Sequence, residues 1–400
     1  AAADSRAAAG LARRLAPRQP GAQALDLASN DYLGMSGDPR LAQAAAAAAR
    51  TWGTGSTGSR LVTGTTALHG ELEDELADFT GARAALVFSS GYLANLATVT
   101  ALAAALATPG RADSSGGVLI VSDERNHASL IDACRLARAR NVRLTVTPHQ
   151  DQDAIATALA RRQERAAILV SDAVFSVSGG LAPVGKLHEL VRQHKAMLVL
   201  DEAHSFGVLG EGGRGIAHAA RIADAPDVVR TVTLSKALSG QGGAVLGAPE
   251  VIQTLVDIGR GMIFDTGLAP PSAGAALAAL RILRAESGRP AMALRNTARL
   301  AAVAAQAGLR ATVPDAAVTS VILGDPQGAL AARRACAEHG VRVGCFRPPS
   351  VPADEACLRL TGRATLTDED FSVAARALAA AANRCDHCRN TAQAERRATL

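Results

Sequence analysis

An aspartate and a lysine stand where two buried strands should end. Leu198-Val199-Leu200-Asp201-Glu202-Ala203-His204 is an apolar run closed by a carboxylate. Burying a carboxylate there is costly unless a cation pairs with it. Thr231-Val232-Thr233-Leu234-Ser235-Lys236 places a lysine just past a second strand, with hydroxyls before it. Alone, Lys236 reads as a solvated loop lysine. With Asp201 on a strand end 35 residues earlier, it reads as chemistry. Pyridoxal 5'-phosphate (PLP) needs a lysine for its Schiff base and an acid that keeps its pyridine nitrogen protonated, so that the ring draws electrons. Asp201 is the expected partner of that nitrogen. Lys236 is the expected anchor and, once substrate displaces it, the proton-transfer base.

The cofactor's phosphate calls for hydroxyls and backbone N–H groups at a helix start. Ser89-Ser90-Gly91-Tyr92, between a strand and a helix, supplies them, and Thr233 adds a hydroxyl. His127, in Asn126-His127-Ala128-Ser129, is placed to stack on the ring; its simpler reading is a polar helix start. Ser176 is placed to reach the phenolic oxygen, or else makes a turn with Gly179-Gly180. Two other motifs fail for lack of context. Asp201-Glu202-Ala203-His204 spells a helicase acidic box, and Gly180–Lys186 most of a phosphate-binding loop. But Leu187 replaces the Ser/Thr that would hold Mg²⁺, Pro183 interrupts the anion nest, and no strand abuts it.

These residues need a scaffold that brings strand ends together. Apolar β-like runs at Ala84–Phe88, Val118–Val121, Arg143–Val146, Ala167–Val170, Met197–Leu200 and Val229–Leu234 alternate with helical stretches Gly91–Leu106, Ser129–Ala139, Asp151–Arg162 and Gly185–His194. That alternation predicts an α/β fold, a mostly parallel sheet with helices on both faces. Ligands bind beyond the carboxyl ends of such strands, where the residues above fall. After Pro270-Pro271 a long helical pattern runs to about Ala307. Strands at Val318–Leu323 and Leu358–Leu360 flank a helical Gly328–His339, and a last helix spans Asp368–Asn383. The expected organisation is an N-terminal segment (1–40), a large PLP-binding α/β domain (41–270), a small α+β C-terminal domain (271–384) and a tail (385–400).

Composition narrows the class further. Of 400 residues 48% are hydrophobic, enough for a large core, and the net charge is +5. Scattered cations and 2% aromatics disfavour nucleic acid and suit an anionic substrate. No transmembrane or signal segment is expected, and the first residue is Ala rather than Met, which leaves trimming open. Six dispersed cysteines point to a reducing cytoplasm. Cys385 and Cys388 have CxxC spacing without a second ligand pair, so no metal is expected.

The ordered motifs resemble those of the α-oxoamine synthases, PLP-dependent transferases of fold type I, from Leu11 to Asn383. They are Ala28-Ser-Asn-Asp-Tyr-Leu-Gly34, Gly55-Ser-Thr-Gly-Ser-Arg60, Leu68-His-Gly-Glu-Leu-Glu73, Ser90-Gly-Tyr-Leu-Ala-Asn95, Asn126-His-Ala-Ser-Leu130, Leu200-Asp-Glu-Ala-His204, Thr233-Leu-Ser-Lys236, Arg347-Pro-Pro-Ser-Val-Pro352 and Arg359-Leu-Thr361. The resemblance implies catalytic roles for Lys236, His127 and Asp201. It implies cofactor contacts from Gly91, Tyr92, Ser176, His204, Thr233 and Thr266. Arg359 would grip an amino-acid carboxylate, and Thr361, Arg13, Asn30 and His127 would meet substrate. It also implies a homodimer with the site at the subunit interface, which Asn30, Ser59 and Thr266 would serve; each also reads as an ordinary turn or cap residue. The implied reaction condenses an amino acid with an acyl thioester and releases CO₂. Arg347–Pro352 looks most like the branch that joins L-alanine to a pimeloyl thioester, carried by CoA or a carrier protein; it also reads as a rigid loop. Ser205 departs from the Gly common in that branch. A glycine-using sister synthase and a degenerate regulatory member are the alternatives.

Overall fold

The computed structural model describes Arg6, residues 11–13, 15–21, 23–108, 116–138 and 141–384. Cys385 and Cys388 lie outside the described residues, as does Ala139. The chain divides into two compact units. The larger comprises Leu33–Ser176 and Leu181–Pro290; the smaller comprises Val177–Gly180, the chain up to Tyr32 and the chain from Ala291.

The larger unit is built on seven strands: β1 (Ala84–Phe88), β2 (Val118–Asp123), β3 (Val142–Thr147), β4 (Ala166–Asp172), β5 (Met197–Asp201), β6 (Val228–Thr233) and β7 (Gly243–Gly247). Their order in the sheet is β1-β7-β6-β5-β4-β2-β3. All run parallel except β7, antiparallel to both its neighbours. The apolar runs arise because both faces are covered. Along β2, Val118 and Ile120 enter one core with Phe88 and Val170, while Leu119 and Val121 enter the other with Leu169 and Leu200.

Helices α1 (Pro39–Trp52), α2 (Ala67–Thr80), α3 (Gly91–Leu106), α4 (Ala128–Ala137), α5 (Gln152–Ala160), α6 (Val184–Gln193), α7 (Pro249–Ile258) and α8 (Pro270–Ala285) surround the sheet. Helix α3 buries residues all around its axis, including Ala94, Asn95, Thr98 and Leu102. That marks it as interior rather than amphipathic. Ser90 caps it by accepting the N–H of Leu93. Helix α8 packs on α1 and α2. A Cβ on Gly274 would lie 2.8 Å from Ala48 Cβ, so the alanine-rich face of α1 permits a close crossing. The helical pattern expected from Pro270 to about Ala307 is therefore two helices, the first of which belongs to the larger unit. The phosphate-loop-like segment is no nest. Ala182, Val184 and Leu187 are core residues, and Lys186 pairs with Glu189 at 3.0 Å.

The smaller unit holds α9 (Arg289–Gln306, from Ala291), α10 (Pro326–Glu338) and α11 (Asp368–Asn383) against an antiparallel sheet. Its strands are β8 (Val318–Ile322), β9 (Gly344–Phe346) and β10 (Cys357–Thr361), in the order β9-β10-β8. Leu25 and Leu27 enter its core with Leu300, Leu358 and Phe371. Leu27 O accepts the N–H of Thr361 at 2.9 Å. The N-terminal segment up to Tyr32 is thus part of this unit, because its two leucines have their apolar partners there. Among the described residues no helix is long and apolar enough to cross a membrane.

Candidate active site

In the larger unit, the carboxyl ends of β1, β2, β4, β5 and β6 share one edge of the sheet, and each delivers a polar residue. Lys236 follows β6, and its Nζ lies 2.8 Å from Nε2 of His204, a buried residue just after β5. Asp201, the last residue of β5, is buried and accepts the N–H of Ala203 at 2.8 Å and of Asn95 at 2.6 Å. Asn95 also donates to Ser129 at 2.8 Å and accepts from Thr231 at 2.6 Å. Ser129 Oγ lies 2.7 Å from Nδ1 of His127, the residue that caps α4. Burial pushes the His127 imidazole below the usual histidine range; Asp201 pulls it up and Lys236 pushes it down. His127, Asp201, His204 and Lys236 are therefore brought together.

Asp172 is a second strand-end acid. It is the register partner of Asp201 on the adjacent strand and accepts the N–H of His127 at 2.6 Å. Burial drives its carboxyl well above the usual range, and the neighbouring Asp201 adds to the effect.

An anion cradle lies at the start of α3. A Cβ on Gly91 would sit 3.1 Å from Thr233 Cβ, and one on Gly243 would sit 2.4 Å from Gly91 N. The two glycines thus bring the free N–H groups of the helix start against the end of β6. Thr233 Oγ1 and Ser235 Oγ, 2.7 Å apart, add hydroxyls beside it. Tyr92 is exposed, with its hydroxyl bonded to Asp132. Ser89 binds Asp265. Thr266 is exposed and forms an isolated bridge with Ser59. Ser176, half-buried, comes four residues after β4.

The smaller unit contains a separate cationic group. Arg359 on β10 is buried and donates to Asn30 Oδ1 at 2.9 Å and to Tyr32 OH at 3.4 Å. Its Nε and the Oγ1 of Thr361 are buried without a hydrogen-bond partner among the described residues. Such orphaned polar atoms call for a ligand. Burial pushes the Tyr32 hydroxyl up, against the pull of Arg359. Asn30 meets Arg359 of its own chain. Arg13 is exposed in the N-terminal segment.

Asn95, Ser129, Thr231, Asp172 and Tyr32 join these groups without being marked individually as site residues in the sequence. Asp172 had a signal, since it closes an apolar strand as Asp201 does. Asn95 had a weaker one, as the only amide in an apolar helix. Ser205, the departure from the family pattern, is fully buried and donates to Glu202 at 3.0 Å. Among the described residues no cluster of three or more His, Cys, Asp or Glu side chains could hold a metal ion.

A seven-stranded sheet with one antiparallel strand, a lysine after β6, an acid ending β5 and an anion cradle before α3 define fold type I of the PLP-dependent transferases. The chain belongs to the aminotransferase class I and II family, whose model matches residues 22–378. It is 56% identical to the 8-amino-7-oxononanoate synthase of Mycobacterium sp. (strain JLS) over 94% of each chain. Among solved structures it resembles the serine palmitoyltransferase of S. paucimobilis with a bound PLP–myriocin aldimine (TM-score 0.82, 28% identity, 91% of this chain and 88% of that one). It also resembles the 8-amino-7-oxononanoate synthase of Francisella tularensis (TM-score 0.72, 26% identity, 89% and 97%).

Proposed function

We propose that the protein is an 8-amino-7-oxononanoate synthase, which condenses L-alanine with a pimeloyl thioester and releases the thiol and CO₂ in biotin biosynthesis. The observation that carries this reading is 56% identity to an enzyme of that name across 94% of both chains. The serine palmitoyltransferases match the scaffold with a higher TM-score than the Francisella synthase, but at 28% identity against 26%, so neither structure selects the substrate.

The residues present fit PLP: an anion cradle closed to any Cβ at Gly243, an acid at a strand end, and an amine nearby. When bound, PLP supplies an aldehyde that captures amines and a protonated ring that stabilises a carbanion at the amino acid's Cα. Gly91, Tyr92 and Thr233 would hold its phosphate. Asp201 would accept the N–H of the protonated ring nitrogen, and His127 would cover the ring and meet substrate. Ser176 and His204 would contact the phenolic oxygen. Lys236 would anchor the aldehyde and serve as the base for the Cα proton of alanine. Its contact with His204 at 2.8 Å holds the amine at the carboxyl end of the strands.

Arg359 binds the alanine carboxylate, and the orphaned Nε and Thr361 Oγ1 are the atoms that such a ligand would satisfy. Arg13 and Asn30 meet substrate, Asn30 by orienting Arg359. A second copy completes the enzyme. Exposed Leu61, Val62 and Phe264 flank the Ser59–Thr266 bridge, a patch suited to a homodimer interface that lends Thr266 to the partner's cofactor site. The thiols of Cys134, Cys336, Cys345 and Cys357 are all free, which suits the cytoplasm. Incubation with L-alanine and pimeloyl-CoA, with the product identified by mass, tests the reading; absence of the oxononanoate from PLP-loaded protein would overturn it.

A further inference from the structure

The polar groups around Asp201 and His127 form one hydrogen-bonded chain whose proton directions follow from chemistry. Asn95, only 2% exposed, sits in α3 with its Nδ2 2.6 Å from Asp201 Oδ2 and 2.8 Å from Ser129 Oγ. A carboxylate only accepts, so the amide nitrogen must face Asp201, and the amide oxygen is left to accept the Thr231 hydroxyl at 2.6 Å. Both amide hydrogens are then committed, one to Asp201 and one to Ser129. Ser129 Oγ, an acceptor in that bond, keeps its own hydrogen to donate to the atom 2.7 Å away, Nδ1 of His127, which a backbone N–H marks as an acceptor. The backbone N–H of Ser129 aims at the same Nδ1 from 3.3 Å. With two donors on Nδ1, the hydrogen of a neutral imidazole belongs on Nε2.

We infer that Asn95, held by Asp201, is a positioning residue that fixes the tautomer of His127 through Ser129. His127 thereby offers an N–H rather than a lone pair to whatever lies against it, and it does so in the resting protein. Asn95 touches neither the amine of Lys236 nor a reacting atom; it acts through Ser129. The functional meaning rests on the reading of His127 and Asp201 as cofactor residues, while the tautomer itself does not depend on turnover.

Nitrogen-15 NMR of the histidine side chains in the PLP-loaded protein reads the tautomer, with the His127→Gln spectrum assigning the signals. The wild type should carry its hydrogen on Nε2. Asn95→Leu removes both donors and frees the Ser129 hydroxyl to point either way, so both tautomers should appear. Ser129→Ala, which leaves the Asn95–Asp201 bond in place, should weaken the preference about fivefold, the worth of one hydrogen bond. A wild-type His127 with its hydrogen on Nδ1 would overturn the inference. So would an unchanged preference in Asn95→Leu or, should that variant fail to fold, in Ser129→Ala. If the protein makes no oxononanoate but shows these tautomers, the proposed reaction fails and the inference about Asn95 stands.

Discussion

Asp172 and Asp201 are register partners at the ends of adjacent parallel strands, yet they sit in unequal surroundings. Asp201 accepts side-chain and backbone N–H groups from Asn95 and Ala203, whereas Asp172 accepts the single backbone N–H of His127. Burial and the neighbouring charge push Asp172 well above its ordinary value of 3.8. The sign of the linkage follows. Between the ordinary value and the raised one, folded protein keeps a proton that the unfolded chain has lost, so stability falls as pH rises through that window. Asp172→Asn keeps an acceptor for His127 N–H and removes the titration. Its Tm should exceed the wild type's by a few degrees, with the gap widening from about pH 5 to about pH 8. Thermal melts at both pH values measure this; a lower Tm for Asp172→Asn at the upper pH would contradict it.

Lys236→Ala should bind PLP without covalent attachment and lose turnover by about 10²–10⁴-fold, the worth of a positioned acid–base group. Borohydride reduction followed by peptide mass analysis should label Lys236 in the wild type. Label on another lysine would remove Lys236 from the role.

Glu202→Gln tests the scaffold beneath the site. Glu202 and Arg230 are each 1% exposed and meet at 3.1 Å, and Glu202 also accepts from Ser205 and the N–H of Ala217. Burial lowers the Arg230 pKa while Glu202 raises it. Removing the carboxylate charge leaves the buried guanidinium with the neutral partners Thr80 O and Oγ1, at a cost of about 3–5 kcal/mol. Urea denaturation reads that loss directly; a change below about 1 kcal/mol would mean that water reaches Arg230 in the variant.

Arg359→Lys should raise the KM for the amino acid about 10- to 100-fold, with a smaller effect on kcat. A point charge on a flexible stem cannot hold Asn30, Tyr32 and a carboxylate together as the planar guanidinium can. Steady-state kinetics at saturating thioester measures it. An unchanged KM would move the carboxylate site elsewhere.

Much of this was legible in the sequence because buried parallel strands write themselves as unbroken apolar runs. Ala84–Phe88 and Gly91–Leu106 fall where the pattern puts them, and Asp201 and Lys236 lie at their expected strand ends. Strand β7 was not legible: five residues bounded by glycines carry no local mark of antiparallel direction. Nor was the split of the helical pattern beyond Pro270, since alanine and leucine continue on both sides of Ser287-Gly288. The partners of Asn95 are distant in sequence, 106 residues for Asp201 and 136 for Thr231. Periodicity reports which face of a helix is buried, not which hydrogen bonds a buried amide will find. The same holds for Asn30, which reads as a turn residue until Arg359 is folded against it.

Thiol release from three substrate pairs tests the central claim most directly: L-alanine with pimeloyl-CoA, glycine with acetyl-CoA, and L-serine with palmitoyl-CoA, each with PLP-loaded protein. The expected result is release with L-alanine and pimeloyl-CoA at least about 100-fold above the other pairs in kcat/KM, a difference of about 2.7 kcal/mol in transition-state binding. Faster release with either of the other pairs would contradict the assignment of this chain as an 8-amino-7-oxononanoate synthase.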